Sequence, residues 1–163
     1  MIRKTEFYFA FGSNIHAGQM ALRCPDAEFI GVYALPEWRF AFSPLHRGAN
    51  IFHTADENDI VWGAVYRISE SDEVALDKYE SVALNKYRKV YVQHTDFSSE
   101  LLVYQVPDCA GLVQPYQDYH ERILDAMGAR EFCPKYIEYV RAIGNLGADH
   151  PERNYRGNSD GLR

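Results

Sequence analysis

The hydrophobic pattern changes period along this chain, and that change constrains the fold more than any other feature. Up to about residue 106, apolar residues alternate or run in short blocks, as strands require. Trp38, Phe40 and Phe42, for example, alternate with Arg39 and Ala41. From Tyr116 the spacing becomes helical. Tyr116, Tyr119, His120, Ile123, Leu124 and Met127 fall at i, i+3, i+4, i+7, i+8 and i+11, one continuous stripe. Pro115 suits the first turn of that helix and Gly128 its end. A further helix starts at Pro134, carries Tyr136, Tyr139, Val140 and Ile143 on one face, and closes at Gly144 and Gly147. Strands joined by short connections, then helices, predict an α+β domain rather than a doubly wound one.

Two shorter helices interrupt the strand-rich part. The aromatic strand Glu6–Phe11 stops at Gly12-Ser13-Asn14, and Ile15–Cys24 follows with Ala17, Met20, Ala21 and Cys24 on one face. Ser13 or Asn14 is the expected N-cap, and Pro25 stops the helix. The second helix is expected over about Asp72–Glu80, with Ser69 and Ser71 as caps and Asp72 and Glu73 favoured by the dipole in its first turn. The remaining stretches give about six strands. Among them are Phe29–Leu35, the apolar Ile60–Ile68, and the pair Arg88–Thr95 and Glu100–Val106.

The totals exclude several classes. A chain of 163 residues is expected to form one domain over 1–163, with a core of about 6–147 and a polar tail over 150–163. Seventeen basic and 23 acidic residues leave a net charge of −6, with no basic run. No nucleic-acid partner is therefore expected. No apolar stretch near the start approaches membrane length, so no membrane span is expected. The cysteines (Cys24, Cys109, Cys133) are odd in number and lack metal or redox spacing, which suits a reducing cytoplasm. The six histidines form no metal-ligand pair on a helix, and His120, on its apolar stripe, reads as a satisfied, partly buried histidine. No phosphate loop or dinucleotide fingerprint is present, so neither metal nor cofactor is expected. Twelve tyrosines in a small acidic domain suit either a polar pocket or the edge of a core.

Two constellations could carry chemistry. At Phe11-Gly12-Ser13-Asn14 a strand gives way to a helix. The free N–H groups of such a turn favour an anion such as a small carboxylate, although an ordinary capped turn has the same pattern. A Ser13 nucleophile is disfavoured, because Phe11 stands where a nucleophile elbow has glycine. In Leu76-Asp77-Lys78-Tyr79-Glu80, Asp77 and Glu80 share a helix face. Glu80 lies near the negative end of the dipole. That end and Asp77 should both raise its pKa, as a general base requires, although a solvated acidic helix end has the same sequence.

Together these segments resemble the γ-glutamylcyclotransferases and their AIG2-like relatives. Tyr8-Phe9-Ala10-Phe11-Gly12-Ser13-Asn14-Ile15 is similar to the family's Tyr-Gly-Ser-Asn-Leu signature. Val61-Trp62-Gly63-Ala64-Val65-Tyr66 resembles its central strand, and Leu76–Glu80 its Leu-Asp-x-x-Glu segment. Tyr87 follows at the family's spacing, and Pro134-Lys135-Tyr136 resembles a segment that supplies a pocket tyrosine. The resemblance runs from about residue 7 to residue 147. Phe11 departs from the usual tyrosine and Ser81 from a frequent glycine.

The resemblance implies a small mixed β-barrel flanked by helices and a reaction without cofactor or metal. A γ-glutamyl amide would be closed by its own α-amine, releasing 5-oxoproline and a free amine. Glu80 would be the catalytic acid and base. Phe11, Gly12, Ser13 and Asn14 would bind the glutamyl end, and Tyr87 and Tyr136 would line the pocket. The implied partner is a small γ-glutamyl molecule, acted on by a monomer or homodimer. The same scaffold also admits a γ-glutamyl isopeptide or a γ-glutamyl-protected metabolite as substrate, or a non-enzymatic role in binding a small carboxylate or a protein.

Overall fold

The computed structural model describes residues 4–107 and 113–145. Seven strands and four α-helices follow in the order β1 (Phe7–Ala10), α1 (Ala17–Arg23), β2 (Glu28–Pro36), β3 (Trp38–Phe42), β4 (Ala49–His53), β5 (Ile60–Arg67), α2 (Glu70–Tyr79), β6 (Arg88–Val92), β7 (Leu101–Gln105), α3 (Gln117–Ala129) and α4 (Pro134–Gly144). The α+β class holds. Gly147 and the expected tail over 150–163 lie outside the described residues.

The expected barrel does not close. Five strands form one open sheet in the order β2-β5-β1-β7-β6, and β3 and β4 pair only with each other. The separation starts at Glu37, whose φ of 72° is left-handed and turns the chain off the main sheet. Glu37 is held there at both ends: its N–H donates to the Asp59 carbonyl, and its carbonyl accepts from the Thr54 N–H, each at 2.8 Å. The chain thus leaves β2 for a separate hairpin.

Within the main sheet β1 is antiparallel to β5 and parallel to β7, with Tyr8 opposite Tyr66 on one side and Leu102 on the other. All four residues of β1 are buried, as a central strand covered on both faces requires. Gly63 of β5 is needed for packing, because a Cβ there would run into the Phe9 ring. α4 crosses close to α3 because Gly144 has no side chain, and a Cβ would strike the His120 imidazole. His120 is 4% exposed, with Nε2 3.0 Å from the Val140 carbonyl, so it is the satisfied histidine the stripe suggests.

Three helix starts differ from expectation. Ser13–Ile15 form a separate 3-10 turn, so neither Ser13 nor Asn14 caps α1. His16 does, its Nδ1 accepting the Gln19 N–H at 3.0 Å. Pro115 precedes α3 rather than opening it, and Tyr116 is the N-cap. α2 begins at Glu70, ahead of the expected Asp72, and takes Ser69 rather than Ser71 as its cap. Ser69 Oγ accepts the Asp72 N–H while the Asp72 carboxylate accepts the Ser69 N–H, a reciprocal capping box.

Candidate active site

β1 delivers the chain to Phe11, 7% exposed, and the 3-10 turn follows at once. The Ile15 and His16 N–H groups close that turn on the Gly12 and Ser13 carbonyls, each at 3.1 Å. The N–H groups of Gly12, Ser13 and Asn14 find no acceptor among the described residues. Such a run of unpaired donors is what an anion seeks. The glycine is required here for space. A Cβ at Gly12 would lie 3.0 Å from the Ala49 Cβ and 3.4 Å from the Tyr119 hydroxyl.

Glu80 ends α2, one residue before the backbone turns left-handed at Ser81 (φ 51°). Serine therefore adopts the conformation that glycine takes without strain, and the helix end keeps its geometry. Glu80 lines a narrow, open cleft of about 40 Å³ together with Phe11, Gly12, Ser13 and Asn14. Burial pushes its pKa from 4.5 up to about 7, against the opposing pull of Arg23 and Lys86. Asp77 plays no part in this shift, contrary to expectation. Its carboxylate is taken by the Tyr104 hydroxyl at 2.7 Å and the Lys89 ammonium at 3.2 Å. The Glu80 carboxylate makes no hydrogen bond or ion pair among the described residues, so it is available to a ligand.

Four tyrosines complete the cleft: Tyr8, Tyr87, Tyr104 and Tyr119. Their hydroxyls fall into two kinds. Tyr87 and Tyr104 donate their protons to protein, to the Ala49 carbonyl at 3.3 Å and to Asp77. Tyr8 and Tyr119 accept instead, from the Asn14 Nδ2 and from the Ala49 N–H, each at 3.0 Å. A phenol oxygen that accepts still has its own proton to donate. Burial raises the pKa of Tyr8 well above 10 and that of Tyr119 to about 12, so both stay protonated.

The structure thus brings Phe11, Gly12, Ser13, Asn14, Glu80 and Tyr87 together. It leaves Tyr136 out. That side chain is wholly buried, between the rings of Phe132 and Tyr139, and does not line the cleft. Tyr119 is the tyrosine that α3 and α4 contribute. From the sequence alone, Tyr119 is distinguishable only as a position on the apolar stripe of α3. Among the described residues, no group of three or more His, Cys, Asp or Glu side chains is arranged to hold a metal ion.

The model of the AIG2-like family matches residues 60–140, a stretch that contains β5, α2 and Glu80. A γ-glutamylcyclotransferase from Bos taurus is 31% identical over 149 residues, which cover 85% of this chain and 77% of that protein. The chain belongs to the γ-glutamylcyclotransferase family. A second member, from Mus musculus, is 34% identical over 93 residues, 52% of this chain and 48% of its own. A solved structure of a γ-glutamyl cyclotransferase superposes with a TM-score of 0.72, covering 85% of this chain and 88% of that one. At 24% identity it speaks for the shared fold. Membership of this family makes the chain an enzyme of the γ-glutamylcyclotransferase type.

Proposed function

We propose that the cleft closes a γ-glutamyl amide into 5-oxoproline and releases a free amine, with Glu80 moving the protons. One observation carries this reading: a carboxylate with a pKa of about 7 and a turn of unpaired N–H donors line the same cleft.

The substrate's α-amine is protonated at neutral pH and cannot attack. Glu80, half-ionised near pH 7, takes a proton from it. The nitrogen then adds to the γ-carbonyl of the same molecule, and the carbonyl oxygen takes up the negative charge. The ring nitrogen, now carrying two hydrogens and a positive charge, gives up one of them. The oxyanion collapses, the C–N bond to the leaving amine breaks, and the amine leaves as an ammonium with the proton Glu80 holds and the one the ring nitrogen released. Proton, electron pair and leaving group all balance without a co-reactant. Nucleophile and electrophile are tethered, so holding the folded-over conformer removes much of the barrier. The N–H groups of Gly12, Ser13 and Asn14 receive the glutamyl carboxylate. The free hydroxyl protons of Tyr8 and Tyr119 are the remaining donors for the growing oxyanion. Tyr87 lines the same cleft from the opposite side of Ala49.

The protein acts on this reading as a monomer or homodimer in a reducing cytoplasm, where the free thiols Cys24 and Cys133 persist. The test is release of 5-oxoproline from a panel of γ-glutamyl amides by the purified protein and by Glu80→Gln. Turnover by wild type and none above background by the variant is the expected result. Equal turnover by both would refute the role of Glu80.

A further inference from the structure

Arg23 ends α1 and lies outside the lining of the cleft, yet it touches both halves of the site. Its Nη1 donates to Asn14 Oδ1 at 3.0 Å, on the turn. Its guanidinium carbon lies 4.4 Å from the centroid of the Tyr79 ring, on the residue before Glu80. It forms no ion pair among the described residues.

The contact with Asn14 has a directional consequence. A guanidinium only donates, so the amide oxygen of Asn14 must face it. Gln19 Nε2 reinforces this with a second bond to the same oxygen at 3.1 Å. The amide nitrogen is then turned the other way, where it donates to the Tyr8 hydroxyl oxygen at 3.0 Å. With its oxygen accepting, Tyr8 keeps its proton for the cleft it lines with Glu80. Were Asn14 flipped, its oxygen would face Tyr8 and capture that proton.

We propose that Arg23 is a positioning residue: by holding the Asn14 amide it makes Tyr8 a hydrogen-bond donor to the cleft, and through Tyr79 it ties the Glu80 end of α2 to the anion-receiving turn. This rests on the reading of the cleft as a γ-glutamyl site. Arg23 also reaches Glu80 electrostatically. The charged and titratable groups acting with Glu80 are the cations Arg23 and Lys86 and the phenols Tyr8 and Tyr119. Removing Arg23 leaves Lys86 as the one cation opposing burial among them.

The experiment compares Arg23→Met, Arg23→Lys, Tyr8→Phe and the Arg23→Met/Tyr8→Phe double variant with wild type, using a γ-glutamyl amide that wild type turns over. Arg23→Met should lower kcat roughly 10- to 100-fold, the range for a hydrogen bond to a charged partner, with a smaller change in KM. In the Tyr8→Phe background the same change should cost no more than about threefold, because the donor it serves is already gone. Arg23→Lys should recover part of kcat, since it keeps the charge and one donor but loses the planar fork. If the two single losses multiply in full, or if Arg23→Met leaves kcat unchanged, the proposal is wrong.

A second readout needs no turnover. With ¹³C-labelled glutamate carboxylates, Glu80 should titrate higher in Arg23→Met than in wild type and unchanged in Arg23→Lys. An unchanged titration in Arg23→Met overturns the electrostatic reach of Arg23, whatever the reaction. Absence of turnover in wild type alone would refute the γ-glutamyl reading and leave the titration to decide on Arg23. A substitution that merely loosened α1 would lower the melting temperature and leave this titration where it was.

Discussion

Glu80→Gln replaces the cleft carboxylate by a neutral isostere, and its effect on stability follows from the same burial that prepares Glu80 for catalysis. In the unfolded chain Glu80 titrates at its ordinary 4.5, and in the folded protein at about 7. Between these values the folded state holds a proton that the unfolded state has released, so stability falls as pH rises. The loss begins near pH 4.5 and is complete above about pH 7. Each pH unit in that window costs about 1.4 kcal/mol, which sets an upper limit of about 3 kcal/mol. Glu80 keeps some contact with solvent, so screening brings the expected figure down to about 1–2 kcal/mol. The variant lacks this loss. Urea unfolding of both proteins from pH 4 to 9 measures it. The stability of Glu80→Gln relative to wild type should rise through the window and level off above pH 7. Parallel stability curves, or a difference that grows towards low pH, would refute the reasoning.

Three further substitutions probe the geometry. Gly12→Ala places a Cβ 3.0 Å from that of Ala49, whose backbone is held on one side by Tyr119 and on the other by Tyr87, so the turn must give way. A loss in kcat/KM of roughly tenfold or more is expected in steady-state assays, and unchanged kinetics would contradict the placement. Ser81→Gly relieves a left-handed residue (φ 51°). It should raise the urea midpoint by the equivalent of about 0.5–1 kcal/mol, after the added freedom of glycine in the unfolded chain is counted against it. Gly144→Ala drives a methyl into the His120 ring and should destabilise by about 1–3 kcal/mol in the same assay.

The parts of the site that local sequence determines were legible in advance, and the parts that depend on distant packing were not. The Ser69 cap of α2 and the end of that helix at Glu80 follow from residues within a few positions of each other. So does the abrupt end of β1 before Gly12. The cap of α1 was misplaced because the 3-10 turn consumes Ser13–Ile15 and leaves His16 to do the work. Asp77 looked like a neighbour that would raise the pKa of Glu80, but β6 and β7 bring Lys89 and Tyr104 to it. Nothing within α2 announces those partners. Tyr136 and Tyr119 exchanged roles for a similar reason. Both lie on the apolar faces of their helices, and only the crossing of α3 over the 3-10 turn and the β3–β4 hairpin sends one hydroxyl to Ala49 and leaves the other ring in the core. The barrel expectation fails because the edge strands β2 and β6 do not pair, while the left-handed backbone at Glu37 sends β3 and β4 into a hairpin of their own. The tyrosine excess now has a partial explanation, since four of the tyrosines among the described residues line the cleft.

The central claim is that the substrate's own nitrogen, and not water, attacks the γ-carbonyl. Turnover of a γ-glutamyl amide in H₂¹⁸O, with the products analysed by mass spectrometry, tests it directly. The account predicts 5-oxoproline that carries no ¹⁸O and appears in step with the free amine. Glutamate bearing ¹⁸O in its side-chain carboxylate would show hydrolysis and contradict the account.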